Sequence, residues 1–463
     1  MTLWLKAFAK PYVLCAPWSC GRVAASARRR RRNDQGADGD GVDRISDLPD
    51  DLLVLFLARL FCGRAAARTS VLSRRWRHVW RRLPKLRLCN VSPSALQAAM
   101  ADAPLTNLSL QYYSNHRSLA AAASLLLNVA RLDPMELNFM AQNVDRDGTI
   151  ELPSFTRATC VDLLFNSHVT LTARGGECPV LEKLAIARCR IGTSALIWRC
   201  PQLRVLQIMD SYDTVKVHST TLEELDVVQI FRVGGVEVMA PELKKFHLKA
   251  YLHKDFSMSL LAPKVQDLSW CCVWIDSVWI DESWCLSCLS LVSKESDSGV
   301  LRLVIHRPRV DSVVHSRSLT EIFQFPKFSV LELHLDTMGH VYEAMVLNLL
   351  KIWNGIRRLK LVIYKTGVTL PDDEACTPNC PCDQPQNWKS QNIFLRGLEE
   401  VEIENFEGSG HEVDLLKLLF RCALLKKVVV KLESKVSTSS KGCQDTYTLF
   451  KANPSVECNV IQA

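Results

Sequence analysis

Three thiols, Cys376, Cys380 and Cys382, fall within seven residues of the Pro/Asp-rich stretch CTPNCPCDQP. Thiolates that close could ligate zinc, with a His or Cys from elsewhere as fourth ligand. The spacing is not that of paired knuckles and no second pair follows, so the stretch reads as an insertion. Cys271-Cys272 and Cys285-x-x-Cys288 lie among Trp270, Trp274, Trp279 and Trp284. A redox CxxC needs a thioredoxin-like setting; core packing of sulfur with aromatics is the expectation here. Arginines from Arg64 to Arg87 could contact phosphates as a basic helix, but Asp47, Asp50 and Asp51 would stand awkwardly beside them. His247 and His334, in Phe-His-Leu and Leu-His-Leu, occupy outward strand positions that could meet a partner or water. There is no nucleophile elbow, phosphate-cradling Gly loop or HExxH. No catalytic residue and no cofactor is assigned; the chain reads as a binder, not an enzyme.

The elements that would position these groups are bounded by size and charge. The 463 residues suffice for a large core and two or three domains. Hydrophobic content of 48% and charged content of 23% are ordinary for a globular protein. No run of eighteen apolar residues suggests a transmembrane helix, so no membrane partner is expected. The net charge of +8 hints at nucleic acid, but residues 1–32 hold eight basic and no acidic side chains. The other 431 residues carry 49 basic and 49 acidic ones, so no broad phosphate-binding surface is implied. Eighteen cysteines in a long chain with no convincing secretory signal read as reduced thiols. Residues 1–42 read as a disordered basic leader and a Gly/Asp-rich linker. Arg28 to Arg32 could be a nuclear import signal, and a transit peptide is also compatible. The expected location is nucleus, cytoplasm or both.

The main organisation is a repeated phrase. Leu181-Glu-Lys-Leu184-Ala-Ile186 recurs as Leu203…Leu206-Gln-Ile208, Leu222…Leu225-Asp-Val227, Leu243…Phe246-His-Leu248 and Val265…Leu268-Ser-Trp270. Successive starts differ by 22, 19, 21 and 22 residues, a leucine-rich-repeat period. Apolar-x-apolar is a short strand with alternate side chains inward. One strand cannot bury itself, so the copies must stack into a parallel sheet. Cys178-Pro179, Cys200-Pro201, Ala240-Pro241 and Ala262-Pro263 precede four copies, and the small residue is expected inside the stack. Weaker copies start at Leu105, Met135, Thr159, Val330, Ile356, Leu398 and Leu425. Helical patterns are expected over 342–353 and 414–425, the second capped by Asp414.

Residues 43–88 break the strand pattern. Leu48, Leu52, Phe56 and Leu60 form one face of a helix that Pro49 can open. Leu72, Trp76, Val79, Trp80 and Leu83 line a second, with arginines opposite and Pro84 as its stop. The forty-six residues of this stretch cannot bury those faces alone.

LPDDLL followed by RTSVLSRRWRHVW resembles the F-box, departing from the family pattern at Phe61-Cys62-Gly63-Arg64. CPCDQPQNWKSQNIFLRGLEEVEIENFEGSGHEVDLLKLLFRCALLKKVVVKLESKV, with FKANPSVECNV, resembles the FBD region of plant F-box proteins. The resemblance implies an α/β chain: F-box over 43–88, an irregular leucine-rich-repeat solenoid over 100–370, and an FBD cap over 371–463. It also implies a substrate receptor that docks on a Skp-type adaptor, and through it a cullin, and holds an unknown target on the repeats. By family analogy Leu48, Pro49, Leu52, Leu53, Val71, Leu72 and Trp76 would face the adaptor. Alternatives are a nuclear nucleic-acid-associated regulator and an F-box protein acting outside a ligase.

Overall fold

The computed structural model describes residue 45 and residues 47–60, 63–100, 106–113, 118–145, 148–173, 175–210, 214–280, 283–294, 299–307, 328–364, 388–389 and 395–462. The leader, Phe61-Cys62 and the Cys376–Cys382 stretch lie outside the described residues. The chain forms two compact units, residues 1–145 with 155–167, and 146–154 with 168–463.

In the first unit α1 (Asp50–Ala58) starts directly after Pro49, with Asp50 and Asp51 in its first turn, where carboxylates favour the helix dipole. α2 (Gly63–Arg68) runs on into a 3-10 turn, Thr69–Val71. The expected second helix is helical only from Trp76: α3 (Trp76–Val79) and a further 3-10 turn, Trp80–Arg82. Thr69 Oγ1 donates to the Ala66 carbonyl at 2.6 Å, a side-chain bond that competes with the helical ladder just before the break. Leu83 is extended, at φ −60° and ψ 128°, as Pro84 requires of its predecessor.

Next come β1 (Lys85–Cys89), α4 (Pro93–Met100), β2 (Asn107–Tyr113), α5 (Leu119–Leu132) and β3 (Glu136–Gln142). Past β4 (Thr149–Glu151) of the second unit lies β5 (Cys160–Thr172). The strands are parallel, with Leu86, Leu108, Leu137 and Val161 in one row and Leu88, Leu110, Phe139 and Leu163 in another. The weak early copies are thus true repeats, and Leu86-Arg87-Leu88 adds one that the helical reading of 43–88 had concealed. Ser118 caps α5 by accepting from the Ala121 N–H at 3.2 Å. Gly63 seats α2 on β1: a Cβ there would lie 2.7 Å from Leu86 Cδ1 and 2.8 Å from the Arg87 carbonyl oxygen.

The second unit continues with β6 (Lys183–Ile191), α6 (Thr193–Trp198), β7 (Val205–Met209), β8 (Val215–His218), β9 (Glu224–Met239), β10 (Lys245–Leu261) and β11 (Asp267–Trp279). The five strong phrases are aligned as their spacing predicts: Leu184, Leu206, Leu225, Phe246 and Leu268 form one inward row, and Ile186, Ile208, Val227, Leu248 and Trp270 the next. Each Cys/Ala-Pro pair makes a turn with Pro in its second place. The N–H of Leu181, Leu203, Leu243 and Val265 donates to the carbonyl of Cys178, Cys200, Ala240 and Ala262 at 3.1–3.4 Å, the geometry for which Pro presets φ. Cys178, Cys200 and Ala240 are buried as expected; Ala262 is only half-buried.

The parallel order is then interrupted. β12 (Cys285–Lys294) runs antiparallel to both β11 and β13 (Val300–His306). Its apolar run (Cys285, Leu286, Cys288, Leu289 and Leu291 all buried) carries no repeat phrase by which it could be recognised. Parallel pairing resumes through β14 (Val330–Asp336), β15 (Arg358–Tyr364), β16 (Glu400–Phe406), β17 (Lys427–Leu432) and β18 (Glu457–Gln462). Here Leu331 and Leu333, not Leu333 and Leu335, align with Leu359 and Leu361. The copy placed at Val330 therefore slips by two residues, a shift that leaves the same face inward.

α7 (Glu343–Ile352) matches the expected helix. α8 (Gly410–Leu419) begins earlier and ends sooner than expected. Its cap is Ser409, not Asp414: Ser409 and Glu412 form a reciprocal capping box. α9 (Lys441–Ala452) is capped by Ser440. Gly408, at φ +77°, touches Gly442 so closely that a Cβ on Gly442 would overlap the Gly408 carbonyl. Both units are mixed α/β with mostly parallel strands, the leucine-rich-repeat type of fold. Trp270, Trp284 and Cys272 are fully buried, so sulfur and aromatics do pack the core there.

Candidate protein-docking site

The helical segment folds with its apolar residues on two sides. Leu53, Leu57, Ala66, Val79 and Trp80 are buried. Opposite them, Leu52, Leu55, Phe56 and Leu60 are exposed, and Val71 and Leu72 are 88% and 65% exposed. The face expected from the spacing of Leu52, Phe56 and Leu60 thus points outward, while Leu53 and Leu57 anchor the helix inward. Of the residues expected to meet a partner, Pro49, Leu52, Val71 and Leu72 are exposed, Leu48 and Trp76 are half-buried, and Leu53 is 1% exposed. Leu53 supports the face from within and is not presented on it.

The arginines opposite are engaged with the opening acids. Arg75 Nε donates to Asp50 at 2.6 Å, and Arg82 reaches Asp50 at 3.2 Å and Asp51 at 2.8 Å. Arg75 also donates to the Leu48 carbonyl. These bonds tie the LPDD opening to the third helix across 25–32 residues, a separation at which sequence spacing carries no signal. They turn part of the basic face, a candidate phosphate surface, into internal structure.

The second unit offers a different surface. Outward positions of β13 to β17 form a charged lattice: Arg302 with Glu332 at 2.6 Å, Arg358 with Glu402 at 2.7 Å, and Lys431 with Glu402 and Glu404 at 2.8 and 2.7 Å. Burial opposes ionisation of Glu402, but hydrogen bonds from Lys431 and Arg358 outweigh it and hold its carboxyl down at about 2. The Lys431 ammonium is pushed up to about 12, chiefly by Glu402 and Glu404. His334 stacks on Tyr364 and shares a 3.0 Å hydrogen bond with its hydroxyl, and burial depresses its pKa. His247 is exposed beside Asp267. Both histidines therefore face outward, as their alternation predicts. Among the described residues no cluster of three potential metal ligands occurs, and no helix is long and apolar enough to cross a membrane.

A short helical segment with an outward apolar face precedes parallel leucine-rich repeats, the order that the F-box resemblance implies. The chain is 25% identical over 441 residues to an F-box protein of Arabidopsis thaliana, covering 88% of this chain and 86% of that relative. It is 25% identical over 419 residues to a chain of the same plant named for an F-box and LRR repeats, covering 84% of this chain and 94% of the relative. An F-box/FBD/LRR-repeat protein of that plant is 56% identical over 50 residues, 11% of each chain. No protein-family model matches. Over most of its length the chain is thus similar to plant F-box and F-box/LRR-repeat proteins, and over a short segment to an F-box/FBD/LRR-repeat protein.

Proposed function

We propose that this chain is the substrate-recognition subunit of a Skp–cullin–F-box ubiquitin ligase. It would dock on the Skp-type adaptor through Leu48, Pro49, Leu52, Val71, Leu72 and Trp76, and reach the cullin through that adaptor. The observation that carries the reading is the exposure of Val71 and Leu72, with Leu52, Leu55, Phe56 and Leu60, on a helical unit whose other side is already packed. Apolar side chains gathered this way mark a surface that a partner covers, and such anchors supply most of an interface's energy. Outward strand positions would hold the target, and ubiquitin transfer would belong to other subunits.

Co-purification with the adaptor tests the reading. Wild type should bring the adaptor down, and Leu48→Ala/Pro49→Ala or Val71→Asp should weaken capture at least tenfold while the circular dichroism spectrum is unchanged. Failure of wild type to capture the adaptor rejects the ligase reading. Equal capture by wild type and variants rejects the assigned contacts.

A further inference from the structure

β18 lies at an edge of the sheet. It pairs in parallel with β17 and, among the described residues, with no strand on its other side. The Glu457 N–H donates to the Lys426 carbonyl at 2.8 Å. In a parallel ladder alternate residues bond the same neighbour, so Glu457, Asn459 and Ile461 are bound to β17. The N–H and C=O groups of Cys458, Val460 and Gln462 point to the open side. Such a row is a template for another strand, and folds blunt it with Pro, Lys or a bulge. β18, ECNVIQ, holds no Pro and no Lys and pairs without a register shift. Its side chains are left open as well. Val428 and Val430 of β17 are 1% and 0% exposed, but Cys458 and Val460, their partners in register, are only half-buried. Ile461 is 46% exposed.

The charges describe the neighbour that would fit. Inside the lattice an acid stands between cations from the strands on both sides: Glu402 between Arg358 and Lys431, and Glu404 between Lys360 and Lys431. Glu457 ends the alternating row Arg358, Glu400, Lys427, Glu457. It has Lys427 at 3.1 Å on the β17 side and accepts from the Asn459 amide, and its side chain is 61% exposed. On the open side no described cation reaches it. Opposite-charge pairs across strands are favourable and like charges are not, so the position beyond Glu457 suits a cation. The position beyond Ile461, on the same face, suits an apolar side chain.

We propose that β18 is a docking edge for an extended segment of a partner protein, which adds as a further strand with Lys or Arg opposite Glu457 and an apolar side chain, four residues away, opposite Ile461. The segment's main chain takes up the outward groups of Cys458, Val460 and Gln462, the usual source of affinity in strand addition, and its side chains supply the specificity. Apolar residues between those two anchors cover Cys458 and Val460 on the inward face. A second copy of this chain does not meet the requirement through the same strand, because ECNVIQ holds no cation to set opposite Glu457. The inference does not rest on adaptor docking, whose residues lie in the first unit.

The test uses the full chain and two fluorescein-labelled peptides, Ser-Lys-Val-Thr-Val-Val-Ser and its reversal Ser-Val-Val-Thr-Val-Lys-Ser. They set Lys opposite Glu457 in parallel and in antiparallel pairing. One or both should bind saturably by fluorescence anisotropy and slow amide exchange at Cys458, Val460 and Gln462. Glu in place of the peptide Lys should weaken binding about two- to fivefold, the range of one cross-strand charge pair. Glu457→Lys in the chain should invert that preference. Val460→Pro removes an N–H that points away from β17, a place where an edge strand tolerates Pro; it should abolish binding while exchange in β15 and β16 is unchanged. Binding of neither peptide overturns the proposal. So does binding that survives Val460→Pro, or a preference that Glu457→Lys fails to invert. A chain that sediments as a dimer and becomes monomeric with Val460→Pro assigns the edge to a second copy, and that result overturns it too.

Discussion

Replacing Gly63 by Ala tests how the helical segment is fixed to the first repeat strand. The new methyl would meet Leu86 Cδ1 at 2.7 Å, Leu88 Cδ2 at 2.8 Å and the Arg87 carbonyl at 2.8 Å. The leucine methyls end flexible side chains and can turn away. The carbonyl belongs to β1, where Arg87 pairs with Ser109, and cannot retreat without straining that ladder. Overpacking of this kind costs about 1–3 kcal/mol. Alanine recovers up to about 1 kcal/mol of helix propensity, less at a first helical position such as this. The net is about 1–2 kcal/mol against the α2–β1 contact, and 1.4 kcal/mol is about tenfold in an opening equilibrium. Native-state hydrogen exchange should show the Leu86 and Leu88 amides about tenfold less protected, with β16 and β17 unaffected. Unchanged protection in β1, or a rise, would show that Gly63 does not hold α2 on the strand.

Glu402→Gln should destabilise the β15–β17 region at neutral pH. A fall from 4.5 to about 2 corresponds to about 3 kcal/mol, which screening on an open face reduces to about 1–2 kcal/mol. Because the folded-state value is depressed, that stability is present above about pH 4.5 and is lost as pH falls toward 2. The gap between wild type and variant in urea melts should therefore close over that window, and a gap independent of pH would contradict the assignment. Ser409→Ala removes the capping box of α8 and should cost about 1 kcal/mol, read as faster exchange in its first turn; Ser409→Asn should restore most of the protection, and equal exchange in all three would reject the cap.

The repeats were legible because their information is local. Leu-x-x-Leu-x-Leu fixes strand, face and spacing within six residues, and the Cys/Ala-Pro turns mark each entry. The same period of two is why the copy near Val330 was misaligned: alternation cannot tell Leu331/Leu333 from Leu333/Leu335, and only pairing with Leu359/Leu361 settles it. β12 is not legible, because CLSCLSLVSK carries no repeat phrase that would give its direction. In the helical segment, Leu52 and Leu53 are equally apolar, so which one turns inward depends on how α1 packs against α3 and the turn after it, remote in sequence. The Ser409 cap is legible as Ser-x-x-Glu, but the apolar run that follows Asp414 offers a competing start.

The meeting of Gly408 and Gly442 joins the loop that introduces α8 to the first turn of α9 at a point with no clearance for a side chain. So close a fit couples the two segments, and these final repeats should open together as one cooperative block instead of fraying strand by strand. The block would act as a ratchet pawl at the end of the stack: intermediates in which only β18 has peeled away should be rare, and loss of this segment in a protease digest should come in a single step.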